Sequence, residues 1–286
     1  MAITIGSNIP SLNAQNRLSK NTDALNRVYE KLSSGQRINR ASDDAAGLAI
    51  ADKLKADSRI AGVAIRNAND GISVIAIADS ALSEIGNVLG RLAELAEQSA
   101  NGVFTTQQRS ALASEFQALS SEVERIANTT EFNGVKLLSG GSALTLQVGF
   151  KGIDVNSQIS FSGVQGTLQS LGLGNASGTL LYSINDTTNA NAQSAAQYAL
   201  DAVKNAITSL TTNRGTLGST EARLNVAISN LQTARENFLA AESRIRDVDV
   251  ASEAAELTRL SILQQAGASI LAQANQQPSL ALSLLR

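Results

Sequence analysis

Over most of the chain, apolar positions recur at alternating spacings of three and four residues, which predicts long amphipathic helices. Residues 11–34 carry Leu18, Thr22, Leu25, Tyr29 and Leu32 on one narrow seam, and Ser33-Ser34-Gly35 supplies the stop, since glycine readily takes the left-handed backbone that closes a helix. Ser42 is the expected N-cap of a second helix, with Asp43 and Asp44 in its first turn, where acids suit the helix dipole. That helix runs to about Ala100 on a seam of Ile65, Ala68, Ile72, Ile75, Leu82, Gly86, Leu89, Ala93 and Ala96, which Asp79 interrupts. The seam keeps its phase across Asn69-Asp70-Gly71, so a bend is the most expected there. After the turn signal Asn101-Gly102, a third helix spans about Thr105 to Asn128 through Leu112, Phe116, Leu119, Val123 and Ile126. The short connection predicts an antiparallel pair.

The period changes to two after Phe132-Asn133-Gly134. Leu144, Leu146, Val148 and Phe150 alternate, as do Ile153, Val155, Ile159 and Phe161. This predicts two strands, with a hairpin turn at Lys151-Gly152. Residues 162–190 are rich in Gly, Ser, Asn and Thr and read as the one long loop-like stretch. From about Ala192 a helical lattice resumes through Ala196, Leu200, Val203, Ile207, Leu210, Leu217, Leu224, Ile228, Leu231, Phe238 and Ile245. A helix of ~50 residues would be ~75 Å long, more than a compact domain needs. Arg214, Glu221, Arg235 and Glu242 occupy skipped points of that lattice. They are either partly solvated at bundle edges or set register between packed subunits. The last helix carries Val250, Ala254, Leu257, Leu260, Leu263, Gly267, Ile270 and Ala274, up to Pro278 and an apolar tail of Leu280, Leu282, Leu284 and Leu285.

Both ends are thus amphipathic helices without a globular core to join, and the economical solution pairs them with each other as a coiled coil. The predicted fold class is mainly α: a long antiparallel helix bundle, rod-like, with paired terminal coiled-coil helices and a small β-hairpin region at about 141–163. Surplus apolar seam on such a molecule predicts association with neighbouring copies.

Composition sharpens this picture. The 286 residues include no Cys, no His, no Trp and two Pro, Pro10 and Pro278. Without Cys and His there is no disulfide, no thiol nucleophile, no His-based triad and no Cys/His metal site. Ala supplies 44 of the residues, which favours closely packed helices over a bulky core. The net charge of −2 predicts neither nucleic acid nor anionic membrane as a partner. No stretch approaches 18 uninterrupted apolar residues, so no membrane span is expected. The N-terminus lacks a basic, then apolar, signal sequence. Asp43-Asp44 and Asp247/Asp249 read as acids at helix starts and junctions before they read as metal ligands. Gly140-Gly141 lacks a phosphate-binding frame, and the sequons at Asn128, Asn175 and Asn185 are short enough to arise by chance. Nothing points to an enzyme, a cofactor or a metal.

The segment Ser33-Ser34-Gly35-Gln36-Arg37-Ile38-Asn39 closely resembles bacterial flagellin, as do Asp43-Asp44-Ala45-Ala46-Gly47-Leu48-Ala49-Ile50 and Arg66-Asn67-Ala68-Asn69-Asp70-Gly71-Ile72-Ser73. So do Ile262-Leu263-Gln264-Gln265-Ala266-Gly267, Leu271-Ala272-Gln273-Ala274-Asn275-Gln276 and Leu282-Ser283-Leu284-Leu285-Arg286. The resemblance covers about 1–173 and 190–286. Large outer domains of many flagellins are replaced by a short variable link at 174–190, so this looks like a minimal member. The resemblance implies a structural, self-polymerising subunit of the flagellar filament, used for motility, with a hook–filament junction protein as the alternative. It implies an inner-core domain from 1–42 and 246–286, packed through Leu18, Leu25, Leu32, Leu260, Leu263 and Ile270, and an outer bundle from 43–245. It further implies an extracellular location reached by the flagellar type III export apparatus, and an export chaperone on the C-terminal helix. Filament cap and hook-junction proteins would be further partners. Arg91, Leu95 and Glu115 match the surface that Toll-like receptor five reads in flagellins.

Overall fold

The computed structural model describes residues 8–140, 143–150, 152, 154–161, 164–175, 177–185 and 188–284, with side chains described in those ranges except at 189–190 and 278–284. Five helices dominate: α1 (Ile9–Ser34), α2 (Ala45–Ala100), α3 (Thr106–Thr129), α4 (Asn189–Arg246) and α5 (Val250–Leu284). Four short strands, β1 (Glu131–Phe132), β2 (Val135–Lys136), β3 (Leu144–Gln147) and β4 (Gln158–Phe161), form two separate antiparallel pairs. The mainly helical class therefore holds. The chain divides into two compact units, Met1–Ser58 with Glu236–Arg286, and Arg59–Arg235. The divisions fall inside α2 and α4, whereas the sequence reading drew its boundaries at 42/43 and 245/246, where the chain leaves helix.

Local signals account for the helix ends. The Asn8 side chain accepts from Ser11 N at 3.1 Å and Pro10 sits in the first turn of α1, which Gly35 closes at φ 69°. A left-handed residue there suits only glycine well. The cap of α2 is Asp44, which accepts from Gly47 N at 2.8 Å, and not the expected Ser42. Asp43 instead accepts from the backbone N–H groups of Asn39 and Arg40, and these bonds hold its carboxyl below the ordinary carboxylate range. Thr105 and Gln108 form a reciprocal capping box at α3.

The larger unit, 59–235, has one core. Leu82, Ile85, Leu89, Leu92 and Leu95 of α2 are wholly buried, with Phe116 and Val123 of α3 and Val203, Leu210, Leu217 and Leu224 of α4. On α2, Leu82 and Leu89 lie on the expected seam, but Ile85, Leu92 and Leu95 were not on it, and Ile65, Ile72 and Ala93 only flank the core. Every described α4 lattice residue within this unit is at least half-buried. By length and composition α2 could cross a bilayer. Its apolar face, however, is this core. The two misfits of the pattern meet each other: Arg214 donates to both carboxylate oxygens of Asp79, at 2.7 and 3.1 Å. That bond holds the Asp79 carboxyl below its ordinary range. Since both side chains are about two-fifths exposed, the pair is worth under about 1 kcal/mol. A depressed carboxylate pKa stabilises the fold above the unfolded-state value and loses that contribution as pH falls through the folded one. Asp79→Asn is therefore expected to lower Tm slightly at pH 7 and to match the parent in strong acid, a difference that thermal unfolding at the two pH values measures.

The β region departs from expectation in its loop. Leu144 pairs with Phe161 and Leu146 with Ile159, so β3 and β4 are as foreseen, but they are joined by residues 148–157, not by a two-residue turn. Val155 stands in a 3-10 turn at 82% exposure. Of the expected turn and strand residues, Lys151 and Ile153 lie outside the described residues, as does Gly141. The tight hairpin is instead β1–β2, where Asn133 and Gly134 both adopt positive φ, 49° and 78°. This is the geometry that Asn-Gly favours. Nor is the Gly/Ser-rich stretch merely a loop. Val164, Leu168, Leu171, Leu173 and Ile184 are buried in the core. Leu168 N donates to Glu124 at 2.9 Å, and Ser99 donates to Ile184 O at 2.6 Å.

Candidate functional site

In the smaller unit, α1 and α5 pack antiparallel. Lys31 lies 3.4 Å from Glu253, Gln264 donates to Thr22 at 3.3 Å, Ser11 donates to Asn275 at 2.6 Å, and Asn8 donates to Ala274 O at 2.8 Å. The apolar centre of the pair is small: Leu25, Val28 and Leu260 are buried, with Ala24, Leu32 and Leu257 partly so. Near it, Arg259 donates to Glu256 through its Nε at 2.7 Å, which holds the Glu256 carboxyl below its ordinary range.

The expected packing residues divide into two groups. Leu25 and Leu260 are buried, and Leu18 and Leu32 are half-buried. Leu263 and Ile270 are not in the α1–α5 seam, being 38% and 59% exposed. The helix turns Gln264 and Gly267 toward α1 instead: Leu18 Cδ1 lies 3.4 Å from where a Cβ on Gly267 would be. On α1 the expected Tyr29 faces solvent and its neighbour Val28 is inside. Exposed apolar side chains therefore persist on both helices: Ile9, Leu12 and Tyr29 on α1, and Val250, Ile262, Leu263 and Ile270 on α5. The tail side chains at Leu280, Leu282, Leu284 and Leu285 lie outside the described ones.

At the other end of this pair, the strand-like segment after α1 meets the one after α4. Arg37 N donates to Arg246 O at 2.6 Å and Val248 N to Gly35 O at 3.1 Å, which makes Gln36 and Asp247 an antiparallel bridge. The Arg37 side chain donates to Ile245 O at 2.6 Å. Arg246 donates to Gln36 Oε1 at 3.0 Å and to Asp52 at 3.3 Å, and lies 4.0 Å from Glu242, itself 3.9 Å from Lys55. No spacing in the sequence signals this junction, because it joins residues about 210 positions apart. Asp249 caps α5 by accepting from Ala251 N and Ser252 N. Among the described residues, no cluster of acids suits a metal ion.

In the larger unit Arg91 donates to Glu115 at 3.0 and 2.9 Å and to Glu94 at 2.8 Å, about half-exposed. Leu95, expected beside them at a recognition surface, is fully buried in the core. Arg91 and Glu115 are the exposed members of that trio.

The bacterial flagellin N-terminal helical region matches residues 5–143 and the bacterial flagellin C-terminal helical region matches residues 200–285. The chain is 44% identical to the flagellin of Halalkalibacterium halodurans over 283 residues, covering 99% of each. It is 42% identical to that of Bacillus subtilis, again over 99% of each. A crystal structure of Bacillus cereus flagellin is 27% identical, covering 58% of this chain and 88% of that one at a TM-score of 0.48.

Proposed function

Since the chain belongs to the bacterial flagellin family and is a structural subunit of the flagellar filament and not an enzyme, we propose that α1 and α5 form the inner packing layer of that filament. In this reading the inner-core domain is 1–42 with 246–286, and 43–245 is the outer bundle. Leu18, Leu25, Leu32 and Leu260 hold the helix pair together, and Leu263 and Ile270 meet neighbouring copies. The observation that carries it is the exposed apolar set on two paired helices, Ile9 and Leu12 on one and Ile262, Leu263 and Ile270 on the other. Exposed apolar surface of this kind marks an interaction site, and a repeated head-to-tail contact builds an open polymer. Full-length likeness to flagellins supports this over a hook–filament junction role.

Finer partners follow from the same reading. A flagellin-specific chaperone covers the C-terminal helix before export through the flagellar apparatus, without a cleavable signal, and the filament cap and hook-junction proteins bound the growing polymer. The exposed Arg91–Glu115 pair is the part of the larger unit offered to Toll-like receptor five, with Leu95 supporting it from beneath. Purified monomer is expected to elongate fragments of its own filament, followed by light scattering and electron microscopy. A chain lacking 246–286 is expected not to. Elongation by the truncated chain would overturn the proposal.

A further inference from the structure

The pairing of α1 with α5 raises a question of register. Residues 1–16 and 260–285 contain no charged side chain. Coiled coils choose among alignments mainly through flanking charges and bulky or polar seam residues. Here the buried apolar centre is three residues, Leu25, Val28 and Leu260. Beyond it the seam is Ala14, Gly267 and Ala274, side chains small enough to be accommodated after a slip of seven residues. The seam alone therefore discriminates poorly against displaced pairings.

The junction at the other end of the pair has no such freedom. Gly35 closes α1 and Asp249 opens α5, and between them the Gln36–Asp247 bridge joins the two backbones through two hydrogen bonds. A bridge between cap residues cannot slide without breaking both. Arg246 is only 16% exposed and reaches Gln36 and Asp52, so the bridge is also tied to α2 within the same unit. The alignment that starts there continues without a skip: Gln36 with Asp247, Lys31 with Glu253, Thr22 with Gln264, Leu18 with Gly267, Ser11 with Asn275.

We propose that the bridge of Gly35–Arg37 with Arg246–Val248, held by the Arg37 and Arg246 side chains, is the register determinant of the terminal helix pair. Arg37 and Arg246 act as positioning residues. By fixing the alignment they keep Gln264 and Gly267 inward and Leu263 and Ile270 outward. That last consequence rests on the filament reading above.

The absence of Cys makes the test direct, because introduced thiols are the only ones. Thr22→Cys is combined with Gln264→Cys, in register, or with Leu257→Cys or Leu271→Cys, displaced by seven residues. Dilute monomer is oxidised and the disulfide-closed fraction is followed on non-reducing gels. The in-register pair is expected to close at least about tenfold faster than either displaced pair, as a tether that matches the span raises effective concentration. Joint Arg37→Ala and Arg246→Ala substitution is expected to abolish the preference. So is Val248→Pro, which removes the N–H given to Gly35. Leu25→Ala is expected to slow closure of all three pairs and keep the preference. Equal rates in the otherwise unaltered chain would overturn the proposal. Survival of the preference in both bridge variants, or its loss in Leu25→Ala, would do the same. Failure of the filament reading is scored separately, by seeded elongation of the unsubstituted chain.

Discussion

Leu263→Asp is expected to abolish seeded elongation while leaving the helical content and Tm of the monomer unchanged. In the single chain Leu263 is 38% exposed, so a carboxylate there stays in water and costs the fold little. On assembly the proposed neighbour would cover it. A buried charge without a partner costs about 3–5 kcal/mol, and each 1.4 kcal/mol is about tenfold in an equilibrium constant. The critical concentration should then rise by at least about a hundredfold. Leu25→Asp is the informative contrast. Leu25 is 7% exposed and sits in the α1–α5 centre, so the charge breaks the pair within the monomer, and helical content falls before any assembly is attempted. Normal elongation by the Leu263 variant would remove that residue from the interface.

Phe116→Ala is expected to be the most destabilising single truncation of the larger unit. Phe116 is 2% exposed in a core shared with Leu89, Leu92 and Val123. Emptying an aromatic site in a packed core costs about 3–5 kcal/mol, and each kcal/mol lowers Tm by about 2–4 °C in a domain of this size. Thermal unfolding by circular dichroism should therefore shift down by about 10 °C. The α1–α5 pair is untouched, so elongation below the new transition should persist. A shift within about 2 °C would mean that the site collapses and closes the void.

Much of the fold is legible in the sequence because most of its helices are bounded by local chemistry. Asn8, Gly35 and the Thr105–Gln108 box act within a few residues, so α1 and α3 end close to where spacing puts them. Helix α4 is legible because its lattice lines a broad core. The Asp79–Arg214 pair was visible only as two interruptions on separate seams. Each is a flaw in its own helix, and they become a pair once α2 and α4 lie side by side. The hairpin turn was misplaced because alternation continues through Val148 and Val155 while the backbone does not. The stretch 164–185 reads as a loop by composition, yet its few apolar residues are buried.

The terminal pair divides the matter most clearly. Its apolar residues determine by themselves that α1 and α5 are helices with more apolar surface than one partner can cover. They do not determine which stripe of α5 faces α1. Ile262 and Leu263 adjoin and Gly267 offers no bulk, so the three-and-four spacing permits more than one inward face, and the expected face through Leu263 and Ile270 is the outward one. Only the tertiary structure decided that. Contact with α1 and the backbone bridge at Gln36 and Asp247 fix the rotation and alignment of α5, and a constraint between residues so far apart in the chain leaves no periodic trace in the sequence.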